Sequence, residues 1–177
     1  MEFLSMSRQE VQLHFTSNNS PRVDKVTVGA AILRYDTSGP RVLLKRNPNE
    51  KHYINVFEIP GGKVDAADSN IRDAIMREVI EETQLRVLDI TSPLSCMTYT
   101  TEKSEKTQTG QDKIVKRNAL QLSYIVMVEG TDFQVNAREH STGIWANRES
   151  LDQVLITPEM RGLVLEVLDS EERLFSR

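Results

Sequence analysis

A chain of 177 residues is long enough for one domain with a sizeable core. Its 38% hydrophobic and 27% charged content favours a folded domain over a disordered one, and its net charge of −4 argues against a general binder of long nucleic acids. A single cysteine, Cys96, excludes an intrachain disulfide and a cysteine-based zinc site, and no apolar run approaches the ~20 residues that span a bilayer.

Residues 1–22 are polar and end in TSNNSPR, which reads as a loop-like lead-in to a single domain over 23–177. The start, MEFLSMSRQEVQLHF, lacks a basic segment followed by an apolar one, so a cytoplasmic protein with no membrane partner is expected. KVTVGAAILRY (25–35) reads as a buried strand, TSGP (37–40) as a turn and RVLLKR (41–46) as the second strand of a hairpin. NPNEKHY reads as loop, and INVFEI (54–59) as a short strand stopped by Pro60, Gly61 and Gly62.

The stretch 63–69 has no regular pattern. A helix is predicted from about Asn70 to Thr83, with Asn70 as N-cap and Asp73 three residues on in a capping-box-like position. RVLDI and SCMTYT are short strand candidates, and Cys96 reads as a small buried hydrophobe. Residues 101–117 are rich in Thr, Lys, Glu and Gln and read as an exposed hairpin tip or loop. NALQLSYIVMVE (118–129) is the longest strand-like segment. GIWAN (143–147) is a short strand whose Trp145 belongs to the core. Residues 157–175 close the chain as a helix with Thr157 as N-cap and Pro158 at the first helical position. Strands and helices interleave, yet several strands are joined by short turns. That pattern predicts an α/β fold, a mixed β-sheet packed between helices.

The predicted helix gathers Glu78, Glu81 and Glu82. At ~100° per residue, Glu81 and Glu82 fall about 60° and 40° to either side of Glu78. Ile75, Met76, Val79 and Ile80 fall on the neighbouring arc, so the helix is expected to pack beside its carboxylates. Such a cluster is unfavourable alone, because like charges at these spacings repel and the last turn of a helix disfavours anions. A hard divalent cation reverses both effects, and carboxylate oxygens suit Mg²⁺ or Mn²⁺. Without a cation, the same residues read as a solvated acidic face. A P-loop is excluded, because Phe57 stands where its first Gly belongs and Val64 where its Ser/Thr belongs.

The segment GGKVDAADSNIRDAIMREVIEETQL resembles the signature box of the Nudix hydrolases, of the MutT-like kind. Gly62, Arg77, Glu78, Val79, Glu81, Glu82 and Leu85 occupy that pattern's places, and FEIP before it is similar to the usual lead into the box. There are three departures: Asp68 replaces a Glu, one extra residue precedes Arg77, and Gln84 replaces the final Gly. The extra residue leaves the spacing within Arg77–Glu82 intact. Asp68 keeps the charge on a shorter arm. Gln84, if its backbone is left-handed, costs about 1 kcal/mol more than Gly.

The resemblance implies a Nudix-type α/β/α sandwich and hydrolysis of a phosphoanhydride in a small diphosphate substrate, a nucleotide derivative above all, with Mg²⁺ or Mn²⁺. It implies Glu78, Glu81 and Glu82 as metal ligands, the Gly61 carbonyl as a further one, and Glu78 as the group that orients or deprotonates water. Arg77 is expected to orient the glutamates through ion pairs. REHSTGIW (138–145) is similar to the stretch before the late strand of MutT-like members, which puts Glu139 in the role of a further acid; Glu129, Asp132, Glu102 and Glu105 are rivals, and the neighbouring His140 reads as a polar loop residue. Arg46 and Lys63 are candidates to contact phosphate, and Tyr53 and Phe57 are either core or base-stacking groups. A homodimer is compatible with the family. The alternative is a Nudix-fold binding or regulatory module, or a non-hydrolytic enzyme.

Overall fold

The first strand, β1 (Lys25–Asp36), is buried without interruption from Val26 to Leu33. A strand with no wet face must be covered on both sides. In this computed structural model, which describes residues 3–17, 22–47, 54–106, 110–135 and 142–175, β1 is the centre of a mixed sheet. It forms the predicted hairpin with β2 (Gly39–Asn47), Leu33 opposite Val42. Its other edge carries β7 (Asp112–Glu129) in parallel, Val28 opposite Leu122. The remaining pairs are antiparallel. β3 (Val56–Glu58) and β8 (Thr142–Ala146) pair with β2, and β4 (Gly61–Lys63) pairs with the first half of β1. β5 (Arg86–Pro93) and β6 (Met97–Lys106) share the outer edge of β7.

Helices cover both faces, as the interleaved pattern predicts. On one face, α2 (Ile71–Thr83) packs Ile71, Ala74, Ile75 and Val79 against Val26, Val28, Ala30 and Leu120. On the other, α3 (Pro158–Phe175) packs Leu163, Val164, Val167 and Leu168 against Ala31, Leu33, Leu44 and Ile125. The result is an α/β/α sandwich. Both predicted caps form: Asn70 Oδ1 accepts the Asp73 N–H at 2.9 Å, and Thr157 Oγ1 accepts the Met160 N–H at 3.2 Å. Trp145 packs partly buried against the first core. Among the described residues no helix is long and apolar enough to cross a membrane.

Four expectations are corrected. Within the predicted lead-in, Arg8–Ser17 form a helix, α1, and Leu4 and Val11 join the core under α2. The Leu4 and Met6 carbonyls accept the N–H groups of Arg72 and Ile71 at 3.0 and 2.9 Å, so this segment completes the first turn of α2. Gly61–Lys63 is a strand rather than a plain stop, because β1 supplies its partners. The polar stretch 101–117 is largely ladder, running from Thr101 opposite Arg117 to Lys106 opposite Asp112. Cys96 is exposed, not buried.

Candidate active site

α2 meets the turn at Gly61 and Gly62 with two of its three glutamates. Glu78 and Glu82 are buried, at 8% and 5% exposure, whereas the Glu81 side chain is 54% exposed. The helix wheel explains the split. Glu82 projects within about 20° of Ile75, the middle of the packed stripe, and Glu81 projects well away from it. Met76 and Ile80, read from the sequence as part of the packed side, face outward for the same reason. The three carboxylates therefore do not present one common face.

Close approach is what the two glycines provide. A Cβ on Gly61 would lie 2.1 Å from the Val28 carbonyl oxygen, which fixes that position as glycine. A Cβ on Gly62 would lie 2.6 Å from Glu78 Oε1, so the missing side chain is the space the Glu78 carboxylate occupies. The Gly61 N–H donates to Glu82 Oε2 at 2.7 Å. Both buried carboxylates thus converge on two successive residues of one turn.

Arg77 ties the acids together. Its Nε and Nη2 grip Asp68 at 3.0 and 2.9 Å, its Nη1 reaches Glu78 Oε1 at 2.9 Å and Glu81 Oε2 at 3.0 Å, and its Nη2 also donates to the Lys63 carbonyl at 3.0 Å. The hydrogen bonds from Arg77 hold the Asp68 carboxyl below its ordinary value, with help from the Asp65 N–H. Asp68 is therefore an anchor for Arg77 in this arrangement. Glu78 moves the opposite way: burial pushes its carboxyl up to about 7, against the pull of Arg77.

Lys45 is the residue the sequence reading missed. It sits on β2 at 2% exposure, with Nζ 2.9 Å from Glu82 Oε1 and 3.2 Å from Glu58 Oε1. Burial pulls its ammonium down, but Glu58 and Glu82 more than offset that, leaving it above its ordinary value and charged. A Lys in RVLLKR gives no signal of this, since lysines are almost never fully buried.

The other predicted residues are placed as follows. Arg46 is half-buried on β2, its backbone opposite Phe57. Lys63 is exposed and engages Arg77 through its carbonyl. Phe57 belongs to the core under α3. Tyr53, Glu139 and His140 lie outside the described residues. Of the rivals to Glu139, Glu129 pairs with Arg86, Glu102 with Lys116 and Glu105 with Arg117, and Asp132 is exposed.

A polar strip adjoins the turn on the α3 side of the sheet. Gly29, whose backbone pairs with Gly61, has Ser123 Oγ and Gln121 Nε2 where its own side chain would be. Gln121 donates to Ser123 at 3.1 Å, and the Thr27 and Tyr99 hydroxyls are 3.3 Å apart. None of these residues belongs to the recognisable box.

Among the described residues no three Asp, Glu, His or Cys side chains cluster closely enough to enclose an ion. The chain's own cations, Arg77 and Lys45, hold the acids instead. The donor set is nevertheless all oxygen, and Glu78 and Glu82 already meet at a turn stripped of side chains. In donor type it fits a hard divalent cation.

The family model of the NUDIX domain matches residues 25–166. No curated protein matches the chain in sequence. Solved structures with the same fold include the NUDIX domain of Shewanella oneidensis NrtR complexed with ADP ribose, at 18% identity and a TM-score of 0.62, covering 96% of this chain and 99% of that one. A MutT NUDIX hydrolase from Burkholderia pseudomallei is 23% identical with a TM-score of 0.58, covering 81% and 97%. A C. elegans Ap4A hydrolase, solved as a binary complex, is 16% identical with a TM-score of 0.55, covering 81% and 94%.

Proposed function

The chain belongs to the NUDIX family and is a Nudix-type pyrophosphohydrolase, and from that premise we propose that it cleaves a phosphoanhydride in a small nucleotide-linked diphosphate, using Mg²⁺ or Mn²⁺ held at Glu78, Glu82 and the Gly61 carbonyl. The observation that carries this reading is the convergence of the two buried carboxylates on Gly61 and Gly62. Glu81 joins the site by exchanging Arg77 for the cation, which its exposure permits. Glu139 remains the proposed further acid.

A divalent cation there supplies neutralisation of the diphosphate and activation of water. The chain supplies the rest. Glu78, whose carboxylate fills the space beside Gly62, is the proposed group that orients or deprotonates the attacking water. Arg77 fixes Glu78 relative to Asp68, as a positioning residue. Arg46 and Lys63 are proposed phosphate contacts. Tyr99, exposed at the edge of this strip, and the half-buried Gln121 are proposed to offer a hydroxyl and an amide to the remainder of the substrate, with Thr27 and Ser123 buried behind them. A nucleotide derivative is favoured because relatives of this fold include one complexed with ADP ribose and one named as an Ap4A hydrolase. A cytoplasmic single domain is part of the same proposal, extended to include the segment from Leu4 to Ser17 that packs into the core.

The test is a panel of nucleotide sugars, ADP-ribose, dinucleotides, nucleoside triphosphates and prenyl diphosphates, scored by product mass with Mg²⁺ or Mn²⁺. At least one compound should be cleaved by the wild type and by neither Glu78→Gln nor Glu82→Gln. Thermal shifts with ligand but turnover of no compound would replace hydrolysis with binding.

A further inference from the structure

Lys45 is a buried charge that the proposed chemistry does not use. Placing an ammonium at 2% exposure is strongly unfavourable unless acids and hydrogen bonds compensate it. Both compensating acids are present, Glu58 on the neighbouring strand and Glu82 on α2. The geometry around Glu82 is divided between its oxygens. Oε1 faces Lys45 at 2.9 Å, and Oε2 takes the Gly61 N–H at 2.7 Å. The backbone contact therefore holds the carboxylate at the turn independently of the lysine.

We propose that Lys45 is the protein's own stand-in for the divalent cation at Glu82, keeping the metal-free site balanced in charge and setting how weakly the metal binds. This rests on the reading of Glu82 as a metal ligand. Two cations drawn to one buried carboxylate repel each other strongly at short range, so Lys45 opposes the metal. Because Gly61 still orients Glu82, removing Lys45 strengthens metal binding rather than scattering the ligand. Lys45 touches no reacting atom. It acts on the metal through Glu82, as a charge-balancing residue.

The experiment uses the full chain stripped with chelator, titrated with Mn²⁺ by calorimetry and by the loss of the free-ion electron paramagnetic signal. Lys45→Met should melt earlier than wild type in chelator and recover most of the difference in Mn²⁺. The double variant Lys45→Met, Glu58→Gln removes one charge of each sign, so it keeps the local net charge and folds more readily. It should bind Mn²⁺ at least roughly tenfold more tightly than wild type. A purely structural lysine would instead lower the melting temperature equally with and without Mn²⁺, and leave affinity unchanged in the double variant. That result overturns the inference. Glu82→Gln is measured alongside. If it abolishes binding while the double variant binds like wild type, Lys45 alone is misassigned. If it leaves Mn²⁺ binding intact, Glu82 is not a ligand and both readings fall.

Discussion

Arg77 grips Asp68 with two nearly parallel contacts, Nε to Oδ1 at 3.0 Å and Nη2 to Oδ2 at 2.9 Å. The Asp68 side chain is 5% exposed, so this is an interior anchor and not a surface pair. Asp68→Asn should destabilise the protein by roughly 2–3 kcal/mol in urea unfolding at neutral pH. The acid's folded value lies below its ordinary 3.8, so its contribution is present above that pH and fades as the pH falls through the lower folded value. The gap between wild type and variant should therefore close in strong acid. A gap that persists unchanged there would remove the ion pair from the explanation.

Glu78 predicts the reverse dependence. Its folded value of about 7 stands above the ordinary 4.5. Between those limits the folded protein keeps a proton that the unfolded chain releases. Stability is then present below 4.5 and lost as pH rises through about 7. In chelator, wild type should lose roughly 3 kcal/mol across that window relative to Glu78→Gln. Parallel pH profiles for the two proteins would show that the carboxyl titrates normally.

Gln84 ends α2 with φ 59 and ψ 12, the left-handed geometry in which glycine is at ease. Its N–H still closes the helix on the Ile80 carbonyl at 2.9 Å. Gln84→Gly should stabilise the protein by about 1 kcal/mol and leave metal affinity unchanged. Equal or lower stability would mean that the Gln side chain contributes more than the backbone strain removes.

The two glycines of the turn should respond differently to alanine. At Gly61 the new Cβ meets a backbone oxygen 2.1 Å away, and the β1–β4 pairing must separate, so Gly61→Ala should lose roughly 3 kcal/mol or more. At Gly62 the obstacle is the end of the Glu78 side chain, which can move. Gly62→Ala should melt within a few degrees of wild type yet lose most of its turnover. Full activity in that variant would contradict the assignment of Glu78.

The spacing of Arg77, Glu78 and Glu82 made half of the site legible, because a helix converts fixed intervals into fixed directions. Lys45 was illegible because strand alternation says which face a residue takes, not whether a carboxylate waits there. The partner of Glu81 was illegible for a related reason: the wheel places it near Glu78 but cannot tell that its carboxylate also pairs with Arg77. The length of the β6–β7 ladder hid behind a polar composition that suggested only a hairpin tip or loop, since its order comes from cross-strand pairing rather than from burial. α1 hid likewise, its few apolar residues scattered among polar ones.

The parallel register of β1 on β7 sets an order of events during synthesis. Val26 to Leu33 leave the ribosome well before their partners, such as Leu120 and Leu122. Until then this buried strand has one edge open. Early hairpin formation with β2 covers only its last residues, Leu33 to Asp36. The nascent chain is therefore a natural client for a holding chaperone, and truncations that stop before β7 should aggregate rather than fold.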